Sequence, residues 1–117
     1  MKEIDWSSLS FGYMKTDYNV RCWYRNGAWG EIEISSEETL NIHMAATCLH
    51  YGQEAFEGLK AYRCPDGKVR VFRMDENAAR LQSSCRGIMM PELPTEKFEE
   101  MVSKVVRLNE AYIPPYE

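Results

Sequence analysis

The run His50-Tyr51-Gly52-Gln53-Glu54-Ala55-Phe56-Glu57-Gly58, with Arg80 following in Asn77-Ala78-Ala79-Arg80-Leu81, sets two aromatics, two glycines and a cation in an arrangement that suits a phosphorylated, partly apolar ligand. Gly52 and Gly58 bracket a short segment, so the backbone can turn sharply at both ends and approach a ligand with no Cβ in the way. Arg80, on a different element, can grip a phosphate through the planar fork of its guanidinium. Taken singly, Phe56 is ordinary core and Arg80 an ordinary solvated helix-face charge. The combination carries the chemistry.

These residues need elements to hold them. A short strand is expected around residues 9–13, and a hairpin over 18–34 around Asn26-Gly27. A two-residue turn would put Val20 and Ile32 on opposite faces, whereas a three-residue loop Arg25-Asn26-Gly27, with Gly27 left-handed, restores the parity. That register pairs Val20 with Ile32, Tyr18 with Ile34 and Tyr24 with Ala28 on one face. The other face then carries Trp23 opposite Trp29 and Arg21 opposite Glu31. Residues 35–39 are a polar break, 40–48 read as extended, and 52–57 as one or two helical turns. A second hairpin joins 59–64 to 68–73 through Pro65-Asp66-Gly67, where Pro presets φ and Gly takes the left-handed position.

Asp75 is expected to cap a helix running to Arg86, with Gly87 as its stop and Ala78, Leu81 and Cys85 as its inner stripe. Arg80 then points away from that stripe, beside the sheet. Thr95 is expected to cap the longest helix, on which Phe98, Met101, Val102, Val105, Leu108 and Tyr112 recur at helical spacing until Pro114-Pro115 ends it. Two hairpins followed by two helices predict an α+β fold: one antiparallel sheet with the helices packed on one face, a two-layer sandwich. Residues 1–117 read as a single domain.

Composition narrows the classes of function. The chain is 44% hydrophobic and 27% charged, with a formal net charge of −4, and offers no basic footprint for nucleic acid or a membrane surface. No apolar run approaches membrane-spanning length and no signal-peptide core is present, so a cytoplasmic location is the default. Cys22, Cys48, Cys64 and Cys85 lack the close spacing of zinc or redox motifs and read as reduced, mostly buried thiols. His43 and His50 have no partners at metal-ligand spacing, so no metal site is expected.

Leu49-His50-Tyr51-Gly52-Gln53-Glu54-Ala55-Phe56-Glu57-Gly58-Leu59-Lys60-Ala61-Tyr62 closely resembles the N-terminal small domain of branched-chain amino acid aminotransferases, pyridoxal-phosphate enzymes of fold type IV (class IV). Ser10-Phe11-Gly12 with Thr16-Asp17, Val71-Phe72-Arg73, the Asn77 to Arg80 stretch, and Val105-Val106-Arg107-Leu108-Asn109 with Tyr112-Ile113-Pro114 extend the resemblance over most of the chain. The resemblance implies that Arg80 binds the cofactor phosphate. It implies that Phe11 and Phe56 wall the pocket for an aliphatic substrate side chain. Tyr51 would complete that pocket from the neighbouring subunit of a homodimer, and Gly58 would lay its backbone against the wall. The implied reaction moves the amino group of leucine, isoleucine or valine to 2-oxoglutarate.

The resemblance also implies features beyond Glu117: a Tyr-X-Arg strand, then a large domain with the Schiff-base lysine and the acidic partner of the pyridine nitrogen. On that basis the chain holds no catalytic residue and is expected to be inactive alone. Its end just after Pro114-Pro115 reads as a cut at a domain boundary. Lys60 is not the Schiff-base lysine, because Leu59 and Ala61 take the buried face of its strand and leave it to solvent. Glu57 is as well suited to bonding local backbone as to acid–base work and receives no role. A D-amino acid transaminase or an aminodeoxychorismate lyase shares a version of the central segment, but the residues preceding it favour the branched-chain type. A non-catalytic dimerisation or ligand-binding module is the alternative of a different class.

Overall fold

The computed structural model describes residues 13–116, so the strand expected around 9–13, and Phe11 with it, falls essentially outside the described residues. The elements run β1 (Asn19–Arg25), β2 (Ala28–Ser35), α1 (Thr47–His50), β3 (Ala61–Arg63), β4 (Val69–Val71), α2 (Met74–Gly87) and α3 (Thr95–Leu108), then a 3₁₀ turn at Glu110–Tyr112.

β1 and β2 form the first hairpin, but in another register than the sequence suggests. The turn has two residues, Asn26 (φ 54°) and Gly27 (φ 80°), the pair of positive angles that a tight hairpin matched to strand twist requires. Arg25 therefore faces Ala28 and Tyr24 faces Trp29. A bulge then sets two residues of β2, Gly30 and Glu31, against Trp23 alone, and beyond it Cys22 faces Ile32, Arg21 faces Glu33 and Val20 faces Ile34. The parity problem is thus solved by a bulge within β2 rather than by a longer loop, because an extra residue flips the alternation wherever it is placed. Trp29 packs edge-on against Tyr24 with ring centres 5.1 Å apart, and Trp23 lies under the Arg25 guanidinium at 4.7 Å. Among the described residues the Arg21 guanidinium forms no ion pair with a glutamate; it donates to the carbonyls of Glu37 (2.5 Å) and Thr39 (3.0 Å) and so pins the chain leaving β2.

The second hairpin follows its turn chemistry. Gly67 is left-handed (φ 84°), its N–H donates to Cys64 O at 2.8 Å, and Cys64 N–H donates to Lys68 O at 2.7 Å. Ala61 faces Val71 and Arg63 faces Val69. Among the described residues the two hairpins stay separate, each a two-stranded antiparallel sheet, instead of joining into one. β3 and β4 are three residues each, and the long connection over residues 36–60 leads them away from β2. The first hairpin leans on α3, while Arg63 ties the second to the 3₁₀ turn through Glu110 O (3.1 Å). The fold is mixed α+β, without a single two-layer sandwich.

The helix boundaries also differ from expectation. Arg73, left-handed at φ 55°, precedes α2, so Asp75 lies inside the first turn and does not cap it. Its charge there, with that of Glu76, still opposes the positive end of the helix dipole. Gly87 is the last helical residue and not the stop. The left-handed residue is Met89 (φ 61°), with Met90 N–H donating to Cys85 O (2.9 Å) and Met89 N–H to Arg86 O (3.3 Å), the paired bonds of a Schellman motif. Thr95 is the first residue of α3, not its cap, and its hydroxyl accepts from Gln82 Nε2 of α2 (3.1 Å). Both helices have 14 residues, and α3 ends at Leu108, well before the prolines.

Among the described residues Ala78 and Cys85 of α2, Phe98 of α3 and Ile113 are the buried apolar ones, with Leu81 of α2 half-buried, so the inner stripe of α2 is as expected. Cys85 alone of the four free thiols is buried; Cys22 and Cys64 are half-buried and Cys48 is exposed, so the expectation of mostly buried thiols holds only for Cys85. Among the described residues no helix is long and apolar enough to cross a membrane.

Candidate functional site

The segment after α1 decides where the pocket residues point. It is not helical: the one helical turn comes earlier, at Thr47–His50, where an extended chain was expected. Gly52, left-handed at φ 64°, ends that turn, and Gln53 N–H reaches back to Thr47 O (3.3 Å). From Gln53 onward exposure alternates residue by residue. Gln53, Ala55, Glu57, Leu59 and Ala61 are half-buried, while Glu54, Phe56, Gly58, Lys60 and Tyr62 are exposed. A period of two belongs to an extended chain, and it sets Phe56 and Gly58 on one face with Glu57 on the other. Lys60 is exposed, in agreement with its expected direction.

Glu57, the one acidic residue on the inward face of that run, meets α2. Its carboxylate accepts from Arg80 Nε (2.9 and 3.1 Å to its two oxygens), from Arg80 Nη2, and from Asn77 Nδ2 (2.7 Å). Asn77 Nδ2 also donates to Gly58 O at 3.1 Å. Asn77 and Arg80 stand three apart on α2, hence on one face of the helix. The pair is asymmetric: the Glu57 side chain is 7% exposed and that of Arg80 is 68% exposed. The Arg80 bonds hold the Glu57 carboxyl below the usual carboxylate range; partial burial opposes this and the Asn77 bond adds to it. The same contact raises the Arg80 guanidinium further above its ordinary value.

The other residues singled out in the sequence lie around this cluster at varying remove. Phe56 is 88% exposed, and its ring carbons lie 3.6 Å from where a Cβ on Gly58 would stand. Gly58 has no left-handed φ and a Cβ there would meet only ordinary contact, so a backbone requirement does not explain the glycine. What the missing side chain does is leave the Phe56 ring open along that edge. Tyr51, 85% exposed, borders a shallow hollow of about 380 Å³ with Thr47, Gly52, Gln53 and Ile88, and neither Phe56 nor Arg80 lines it. The structure therefore brings Gly58 and Arg80 together through Asn77 and Glu57, keeps Phe56 adjacent, and sets Tyr51 apart.

Asn77 and Glu57 are the members that sequence reasoning passed over. Their signals were present: a lone acid on the apolar phase of an alternating run, and an amide one turn before the arginine. Among the described residues no three histidine, cysteine or acidic side chains are grouped as metal ligands.

No family model matches the chain. It is similar to the branched-chain-amino-acid aminotransferase of Haemophilus influenzae, 45% identical over 116 residues that make up 99% of this chain and 34% of that protein. It is 42% identical over 117 residues to the enzyme of the same description from Helicobacter pylori, covering 100% of this chain and 34% of that protein. With the Mycolicibacterium smegmatis enzyme it shares 42% over 116 residues, 98% of this chain and 32% of the relative. The chain spans about a third of the length of the curated relatives it matches.

Proposed function

We propose that this chain, homologous along nearly its whole length to the N-terminal third of branched-chain aminotransferases, serves as the cofactor-phosphate and side-chain-recognition part of such an enzyme. The observation that supports this most is the Arg80 guanidinium. One edge is occupied by a nearly buried carboxylate, 68% of the side chain is exposed, and Nη1 has no bonding partner among the described residues. A fixed cation with free donors at the surface fits the phosphate of pyridoxal phosphate. When bound, that cofactor supplies the electron sink that transamination needs.

On this reading Arg80 anchors the phosphate and does no acid–base work. Phe56, Tyr51 and Phe11, the last outside the described residues, select an aliphatic side chain by burying it, with Tyr51 acting across a homodimer interface. The exposed edge between Phe56 and Gly58 gives the substrate a flat apolar strip. One methylene in such a pocket is worth only about 1–3 kcal/mol, so leucine, isoleucine and valine are all accepted as donors, with 2-oxoglutarate as acceptor. The Schiff-base lysine belongs to other parts of the whole protein, and the 117 residues alone carry no transaminase activity.

The test is Arg80→Ala in the whole protein. Loss of a charge-assisted bond of about 1.5–3 kcal/mol weakens retention of the cofactor roughly 10- to 150-fold and leaves the ranking of leucine, isoleucine and valine unchanged. Phe56→Ala does the reverse, raising KM for leucine most while cofactor affinity holds. Unchanged cofactor affinity in Arg80→Ala would refute the phosphate assignment.

A further inference from the structure

We infer that Glu57 is a positioning residue for Arg80: its carboxylate, fixed by Asn77, holds the guanidinium by the Nε/Nη2 edge and presents the Nη1/Nη2 edge, already aimed, to an incoming phosphate. The nature of the anion rests on the function proposed above; the mount itself rests on geometry. A guanidinium carries five N–H donors in one plane. Glu57 takes the donors of the Nε/Nη2 side, at 2.9 and 3.1 Å for Nε. The donors of the far edge remain free among the described residues and face away from the carboxylate, as planarity demands.

The asymmetry of burial identifies the fixed partner. Glu57, 7% exposed, sits on the inward phase of the alternating segment, and Asn77 Nδ2 clasps both its Oε1 (2.7 Å) and the next carbonyl, Gly58 O (3.1 Å). Carboxylate, backbone and helix face are thereby locked together, and Arg80, 68% exposed, is the arm laid against them. An unmounted arginine at that exposure samples many rotamers and loses them on binding. A mounted one has lost them beforehand, which is preorganisation in the ordinary sense. The opposite possibility is that Glu57 competes with the phosphate for Arg80; that would strengthen anion binding when the charge is removed. The two directions are opposed, so the sign of one mutation separates them.

The experiment titrates inorganic phosphate into the ¹⁵N-labelled full chain and follows the Arg80 Nε–H signal. Wild type, Glu57→Gln, Asn77→Ser and Arg80→Ala are compared, with unchanged backbone spectra elsewhere as the check on folding. Glu57→Gln keeps an isosteric acceptor and removes the charge, and phosphate affinity is expected to fall about 3- to 10-fold. Asn77→Ser leaves both charged partners and is expected to give a smaller fall in the same direction. Arg80→Ala, followed through the neighbouring Asn77 side-chain amide, is expected to abolish the response. A phosphate response in wild type with equal or tighter binding in Glu57→Gln overturns the mount alone. Should Glu57→Gln fail to fold, equal or tighter binding in Asn77→Ser overturns it just as well. No response in wild type overturns the phosphate assignment, and the mount with it.

Discussion

Asn109 offers the sharpest test of how the first hairpin is held to the helices. It follows α3, and its side-chain amide lies against Tyr18, the residue before β1. Oδ1 accepts from Tyr18 N–H at 3.0 Å, and Nδ2 donates to Tyr18 O at 2.8 Å and to Val105 O at 3.0 Å. The side chain thus does for Tyr18 what a paired strand residue would, offering an acceptor and a donor side by side. Tyr112 reinforces the junction, its hydroxyl donating to Asp17 Oδ1 at 2.9 Å. Three bonds at about 0.5–1 kcal/mol each, discounted because the Tyr18 groups can turn to water, set the cost of Asn109→Ala at about 1.5 kcal/mol. Asn109→Asp keeps the acceptor but aims carboxylate oxygen at two carbonyls and adds negative charge at the C-terminal end of α3. About 1 kcal/mol of further loss follows at neutral pH. In that variant the new carboxyl is raised in the folded state by those carbonyls. Its penalty is therefore full above the raised folded value and is relieved as pH falls toward the ordinary aspartate range near 4. Urea unfolding followed by tryptophan fluorescence measures both variants at about pH 7 and about pH 4. If Asn109→Asp matches wild type at neutral pH, or its deficit does not shrink in acid, the clamp does not hold the hairpin.

Two further expectations concern single residues. Met89 is left-handed and 90% exposed, so Met89→Gly removes a conformational strain without uncovering packed surface. A net gain of about 1 kcal/mol, roughly 4 °C in Tm for a chain of this size, should appear in a thermal melt; a lower Tm would show that Met89 contributes a contact that outweighs its strain. The Glu57 carboxyl is held down chiefly by Arg80, so its contribution to stability is present above the unfolded value, near 4.5, and is lost only as pH falls through the depressed folded value. Carbon-detected NMR titration of Glu57 should place its midpoint below 4.5, and Arg80→Ala should move it upward; a midpoint indifferent to Arg80 would mean the ion pair is not formed in solution.

What could be read in the sequence was what local chemistry decides. Pro65-Asp66-Gly67 specifies its turn within three residues, and the apolar spacing of Ala78, Leu81 and Cys85 specifies the inner face of α2 without help from elsewhere. The first hairpin misled because its alternation can be satisfied in two ways, by a longer loop or by a bulge. The choice depends on distant partners: Trp29 Nε1 donates to Glu92 O (2.9 Å) and Lys97 Nζ to Gly30 O (2.9 Å), fixing β2 from outside the hairpin. Residues 52–57 looked helical because Gln-Glu-Ala-Phe-Glu has good helix formers, but Glu57 gains more from Arg80 and Asn77 across the fold than from a helix of one or two turns. Helix ends were the weakest part. A left-handed Met89 beside an available Gly87 has no sequence signature: Cys85 is buried and Gln53 Nε2 donates to Ile88 O (2.8 Å), contacts from outside the helix that local sequence does not show. The single sheet was inferred from order alone, and order does not say whether two hairpins share an edge.

The exposure of the site bears directly on its completeness. Pockets for small ligands enclose about 70–90% of the ligand surface. Here Phe56 and Tyr51 are 88% and 85% exposed, and Tyr62 and Phe72 are 56% and 74% exposed. A surface so open can form one wall of a pocket but cannot exclude water from a reacting centre. The parts that need no enclosure are already in place: a carboxylate at 7% exposure, an amide that clasps it, and a cation aligned between that carboxylate and solvent. The parts that do need it, the apolar strip and Tyr51, wait on a second surface. On the proposed function that surface comes from the remainder of the protein and a neighbouring subunit. Phosphate recognition should then be measurable in this chain by itself, while discrimination among aliphatic side chains should appear only when the pocket is closed.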